Sequence, residues 1–222
     1  MLKFFLCSVL AMTAFTIVPA EARLPDGLTK ECLDFIASLP KNVDYGFIQA
    51  PEDWDHPDHS PKIPVFYYTE RLAALQASSI VPIAYYNGGP GSSSHSAYQF
   101  FKTDHEISLA LLSFPPAKNV PFLYIDQRGT GCSGSLPNVP ITLAGAERLG
   151  RYGTRNTVYD SEAIRAKLFP DGRKWKLFGQ SYGTAIVHRH ISLAPYAVEK
   201  AFAHGLSMMS EGFRWSEFRL IS

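Results

Sequence analysis

The chain has 222 residues, of which 46% are hydrophobic, 13% aromatic and 18% charged, with 16 Gly and 16 Pro scattered rather than repeated. Lys and Arg total 21 and Asp and Glu total 20, a formal net charge of +1. That arithmetic excludes a collagen, a coiled coil and a long disordered tail, and it leaves no charge excess to draw nucleic acid or an anionic membrane as a partner.

Residues 1–22 read as a secretory signal peptide. Lys3 opens it, Phe4 to Val18 is apolar apart from Ser8, Thr13 and Thr16, and Pro19 precedes the small-x-small triplet Ala20-Glu21-Ala22. The run is short of the ~20 residues that a membrane span needs. The expectation is an exported protein, periplasmic or extracellular after cleavage near Ala22, with no stable membrane anchor. Cys7 leaves with the signal, so Cys32 and Cys132 remain. Export permits a disulfide, but two thiols this far apart in sequence carry no geometric information, and their pairing stays open.

Beyond the signal, a short helix is expected around Lys30 to Ser38 and a strand over Tyr45 to Gln49. Pro51 to His59 is a turn-rich loop, and Lys62 to Thr69 is a strand of aromatic and β-branched residues. Ile80 to Tyr86 is a nearly continuous apolar run, as in a strand buried on both faces. A helix fits within Ala97 to Leu112, and Phe122 to Asp126 is a second short buried strand. Asn156 to Leu168 suits a helix with Val158, Ile164 and Leu168 apolar and Asp160, Glu162 and Arg165 on its polar side. Lys174 to Phe178 is a strand, Thr184 to Leu193 a helix and Val198 to Ala203 a last strand. Strands alternating with helices imply an α/β domain with a mostly parallel sheet and flanking helices.

Three motifs carry chemistry. Gly179-Gln180-Ser181-Tyr182-Gly183 follows a strand and opens a helix, the context in which G-x-S-x-G is a nucleophile elbow. The flanking glycines let strand and helix approach, and the Tyr182 N–H lies at the helix N-terminus, where an oxyanion would develop. Asn87-Gly88-Gly89-Pro90-Gly91 follows the strand that ends at Tyr86. It is placed to give the second oxyanion donor, with Gly89 the first choice and Gly88 the second. Asp126-Gln127-Arg128-Gly129-Thr130-Gly131-Cys132-Ser133 follows the next strand, and Asp126 and Arg128 suit bracing by charge-assisted hydrogen bonds. His56 and His59, with Asp53 and Asp55, sit in a Pro-rich loop that does not fix ligand geometry. No metal or other cofactor is expected.

The order of these motifs resembles the proline iminopeptidase and tripeptidyl aminopeptidase family of α/β-hydrolase-fold serine peptidases, over about Cys32 to Gly205. The Pro51 to Pro57 stretch is similar to the family's P-x-D-W-x-x-P segment. The resemblance implies that Ser181 is the nucleophile, that Gly89 and Tyr182 donate to the oxyanion, and that the substrate is a peptide or a small amide or ester cleaved through an acyl-enzyme. Asn87 stands where proline iminopeptidases usually carry His. NGGPG is also how serine carboxypeptidases write this turn, with the Asn holding a substrate carboxylate, which keeps a carboxypeptidase as an alternative. Arg128 in DQRGTGCS is the iminopeptidase form. An esterase of the same fold is a further alternative.

The family's acid and histidine follow the serine in chain order. After Ser181 the acids are Glu199, Glu211 and Glu217 and the histidines His188, His190 and His204. The first two histidines ride the elbow helix away from the serine, and no acid is well placed to orient His204. About six of the family's eight strands are found. The expectation is an incomplete α/β-hydrolase core over residues 23–206, with 207–222 the start of a missing cap region. Such a chain is an inactive fragment or a non-catalytic truncated homologue, unless a complementing C-terminal part supplies the acid and the histidine.

Overall fold

The computed structural model describes residues 24–98 and 122–205. The expected signal peptide, most of the helix expected within Ala97 to Leu112 and the 207–222 segment lie outside the described residues. Six strands form one sheet: β1 (Val43–Pro51), β2 (Lys62–Glu70), β3 (Ile83–Tyr86), β4 (Phe122–Ile125), β5 (Trp175–Gln180) and β6 (Val198–His204), in the order β1-β2-β4-β3-β5-β6. Only β2 runs against the others. The helices are α1 (Lys30–Ser38), α2 (Leu72–Ala77), α3 (Leu143–Gly150), α4 (Thr154–Leu168) and α5 (Tyr182–Leu193). This strand order, with a serine on the turn between β5 and α5, is the α/β-hydrolase fold.

The central strands are apolar on both sides because both faces of the sheet are covered. Phe66, Tyr68, Ile83, Tyr85, Phe122, Tyr124 and Phe178 face α1 and the helical residues 95–98. Their sequence neighbours Val65, Tyr67, Ala84, Tyr86, Leu123, Ile125 and Leu177 face α2, α4 and α5. The period-2 alternation therefore separates two cores rather than a core from solvent. On the first face, Tyr68 stacks on Tyr124 at 4.9 Å and Tyr85 on Phe178 at 5.6 Å between ring centroids.

Element limits shift where pairing overrides local composition. β1 extends to Val43–Pro51 because it pairs with β2 along its whole length. The run from Ile80 becomes a strand only at Ile83. Ile80 is 38% exposed, and Pro82 joins the sheet through its carbonyl alone, accepting from the Lys176 N–H at 2.8 Å. Two helices were not foreseen, α2 and α3. Arg173 ties α2 down by donating to the carbonyls of Leu75, Gln76 and Ser78.

Cys32 and Cys132 are joined, with 5.1 Å between their Cα atoms and 100 residues between them in sequence. The thiol of Cys32 meets its partner because α1 lays Cys32 and Phe35 on the sheet, against the short 3₁₀ turn Gly131–Ser133. Replacing both cysteines by serine is expected to cost about 2–4 kcal/mol. The urea midpoint should fall, and dithiothreitol should reproduce the fall in the parent but not in the variant. Equal midpoints with and without reductant would show that the bridge adds no stability.

Candidate active site

The carboxyl ends of β3, β4, β5 and β6 open at one edge of the sheet, the edge where open α/β sheets place their chemistry. Asn87, Asp126, Ser181 and Gly205 each leave a strand there.

Ser181 holds φ 50° and ψ −117°, a conformation that residues with a Cβ rarely adopt. The surroundings enforce it. Its N–H donates to the His204 carbonyl at 2.8 Å, and its own carbonyl accepts from Thr184 N at 2.9 Å and Thr184 Oγ1 at 2.7 Å. Gly179 and Gly183 let β5 and α5 cross: a Cβ at Gly183 would fall on the Tyr86 carbonyl, and one at Gly179 on the Gly183 carbonyl. The serine consequently stands exposed at the rim. Tyr182 is the first residue of α5, so its N–H has no acceptor within the helix.

The turn after β3 lies against this elbow. A Cβ on Gly88 would come within 3.0 Å of the Ser181 Cβ and 3.1 Å of the Gln180 carbonyl, so any side chain there would press the turn and the elbow apart by a few tenths of an ångström. Gly89 follows at φ 58°, and its carbonyl accepts from Ser92 N at 3.2 Å. Asn87, Gly88, Gln180 and Ser181 line one cleft of about 380 Å³ together with Ser92, Ser96 and Ala97. Gly91 and Asp126 instead line a second cleft, of about 300 Å³, beside the disulfide. Pro90 is exposed and lines neither. Asn87 is buried, and its side chain is engaged within the protein: Nδ2 donates to the Ser93 carbonyl, and Oδ1 faces the Tyr85 hydroxyl at 3.2 Å.

Asp126 and Arg128 hold these loops from beneath. Asp126 accepts from Ser94 N and Ser94 Oγ, both at 2.7 Å, and from Cys132 N at 2.9 Å. Burial pushes its carboxyl up, and these donors offset part of the rise. Gln127 Nε2 donates to the Asn87 carbonyl at 3.2 Å, which joins the two glycine turns directly. Arg128 is 1% exposed and grips Asp160 with two bonds, Nε to Oδ2 at 2.7 Å and Nη2 to Oδ1 at 2.6 Å. Its other donors reach the carbonyls of Pro51, Glu52 and Arg151. Trp54 Nε1 also donates to Asp160, at 2.8 Å. The segments around Trp54 and Arg128, far apart in sequence, thus meet on one buried carboxylate.

That meeting corrects the expected polar side of α4. Asp160 is fully buried beneath Arg128, and Arg165 is 9% exposed with Glu162 as its partner. Glu162 also bonds His190 Nε2 at 2.9 Å, and His190 Nδ1 meets the Tyr86 hydroxyl at 3.0 Å. His190 and Arg165 hold the Glu162 carboxyl below its ordinary range against the opposing effect of burial. His190 is therefore occupied inside the helix–sheet core, while His188 is exposed on α5. His204 touches Ser181 through its backbone carbonyl. Among the described residues, the Ser181 hydroxyl makes no hydrogen bond. In the Asp53 to His59 loop, Asp55 is held by Arg155, and Asp53 by Arg151 and His56. Among the described residues, no group of three or more His, Cys, Asp or Glu is placed to hold a metal.

Several residues here escaped sequence reasoning: Tyr85, Ser94, Gln127 and Asp160.

Comparison with known proteins agrees with the motif reading. No family model matches the chain. It is 27% identical over 130 residues to the proline iminopeptidase aneH of Aspergillus aculeatus, a match covering 54% of this chain and 27% of that protein. Among solved structures, it is similar to a proline iminopeptidase-related protein of Thermus thermophilus, with 15% identity and a TM-score of 0.49 over 72% of this chain and 44% of the other. A putative epoxide hydrolase of Pseudomonas aeruginosa gives 16% identity and a TM-score of 0.45, over 74% and 41%. The chain thus matches about a quarter of the length of the curated relative and under half of these structures. The chain has the α/β-hydrolase fold and resembles proline iminopeptidase in sequence.

Proposed function

We propose that this chain carries the nucleophile-bearing part of an exported serine peptidase that cleaves N-terminal peptide bonds. The observation that carries the reading is Ser181, exposed at positive φ on the elbow with Gly88 packed against its Cβ. In this reading the Ser181 oxygen attacks the scissile carbonyl. The resulting oxyanion accepts from the Tyr182 N–H and an N–H of the Gly88-Gly89 turn. The amine leaves with a proton, and water then hydrolyses the acyl-enzyme. A serine hydroxyl needs a base, so the reading requires an acid–histidine pair delivered to Ser181 from outside the described residues. The disulfide supports an oxidising compartment, in keeping with the signal-like N-terminus. The internal engagement of the Asn87 amide favours removal of N-terminal over C-terminal residues, since that amide already donates to Ser93.

A fluorophosphonate probe should label Ser181 in the protein carrying its complete catalytic set, and Ser181→Ala should abolish labelling. Prolyl or alanyl amides should be hydrolysed. Turnover of short esters alone would refute the peptidase reading while leaving a serine hydrolase.

A further inference from the structure

Tyr85 stands at the junction of the oxyanion turn and the elbow. Its hydroxyl oxygen is 2.7 Å from Gln180 Oε1 and 3.2 Å from Asn87 Oδ1. Burial holds the phenol well above its ordinary range, so the group carries a proton, but only one. Two acceptor oxygens cannot both be served by it. Asn87 has no freedom to turn, because its amide nitrogen donates to the Ser93 carbonyl. Its Oδ1 is buried and needs the Tyr85 proton. Gln180 is exposed, and its carboxamide has no second protein partner among the described residues. The two ends of an amide are distinguished only by the bonds they make. Turned end for end, Gln180 keeps the same 2.7 Å contact by donating Nε2–H to the Tyr85 oxygen. The Asn87 oxygen and the Gln180 amide nitrogen then each have the Tyr85 hydroxyl as partner, and Oε1 is released on a side chain that lines the cleft.

We infer that Gln180 is a specificity residue. It presents a carbonyl acceptor to the protonated N-terminal amine of a peptide held at Ser181. The inference rests on the aminopeptidase reading and deepens it. Gln180 and Ser181 line the same cleft, and the terminal amine of a residue lies only two bonds from its own carbonyl carbon. An acceptor on the wall of that cleft, one residue from the nucleophile, is therefore suited to meet that amine. Tyr85, fixed in the aromatic core against Phe178, sets the direction of the carboxamide.

The test uses the full chain carrying Ser181→Ala, titrated calorimetrically near pH 6 with two probes. Alanyl-alanine amide has a free amine and no carboxylate, and N-acetyl-alanyl-alanine has the reverse. The amide should bind in preference. Adding Gln180→Leu should weaken it about 10-fold or more, the size of one hydrogen bond from a charged amine. Gln180→Glu, which keeps the shape and adds a charge, should tighten it about 10-fold and weaken the acetylated acid. If the amide binds but neither substitution changes its affinity, Gln180 is no amine contact and the aminopeptidase reading survives. If the acetylated acid binds better, both fall. If neither probe binds, the amine site is overturned.

Discussion

Arg128→Ala is expected to cost about 3–5 kcal/mol of folding stability, a loss typical of breaking a buried ion pair from one side. The side chain has no solvent to fall back on at 1% exposure. Removing it strands the Asp160 carboxylate, which is equally inaccessible and, among the described residues, keeps only the Trp54 N–H as a partner. It also takes a donor away from the carbonyls of Pro51, Glu52 and Arg151, of which the last still accepts from Asn156 Nδ2. For a domain of this size the melting temperature should fall by roughly 10–15 °C. Arg128→Lys should recover little, because an ammonium cannot reproduce a two-bond grip and three carbonyl contacts at once. The informative control is Arg128→Met combined with Asp160→Leu. A large share of the cost in the single variant is the stranded charge, so the double variant should be more stable than Arg128→Ala. A double variant no better than the single one would show that the carbonyl contacts, not the ion pair, dominate. Denaturation midpoints in urea decide between them.

The same cluster shows what the sequence could and could not reveal. Ser181 and its flanking glycines were legible because strain and close approach dictate both their residue types and their spacing. β3 and β4 were legible as apolar runs followed by glycine turns. Asp160 was not, because a carboxylate on a helix reads as solvated until a distant arginine is known to cover it. Tyr85 and Ser94 were hidden for the opposite reason: in buried surroundings they look like packing, and only the three-dimensional contacts show their hydroxyls in use. α2 was lost because it is six residues long and starts from Arg71, at φ 52° with no side-chain cap. α3 did carry a local signal, since Thr142 Oγ1 accepts from Gly145 N at 3.1 Å, a capping bond that the threonine could have announced. The disulfide could not be read from spacing, because it depends on α1 crossing to the loop after β4.

Gly183→Val should be the most damaging substitution at the elbow itself. A Cβ at that position would overlap the Tyr86 carbonyl and come within 3.0 Å of the Asn87 carbonyl. Both obstacles are backbone, and both belong to the strand and turn that face the serine. Relief requires α5 to lift from β3, which displaces Ser181 and the Tyr182 N–H together. Overpacking of this kind costs about 1–3 kcal/mol where side chains can yield, and more where only backbone can move. The expected result is a destabilised protein whose Ser181 labelling falls by at least about 100-fold, equivalent to roughly 2.7 kcal/mol of lost transition-state stabilisation. Gly150→Ala supplies the contrast. A Cβ there meets nothing within 4 Å, and the residue ends α3 away from the site. That change should leave labelling intact and raise stability slightly. If Gly183→Val labelled Ser181 at the parent rate, the close crossing of β5, α5 and β3 would not be what aims the serine. The positive φ at Ser181 would then have to be held by its two backbone bonds to His204 and Thr184 alone.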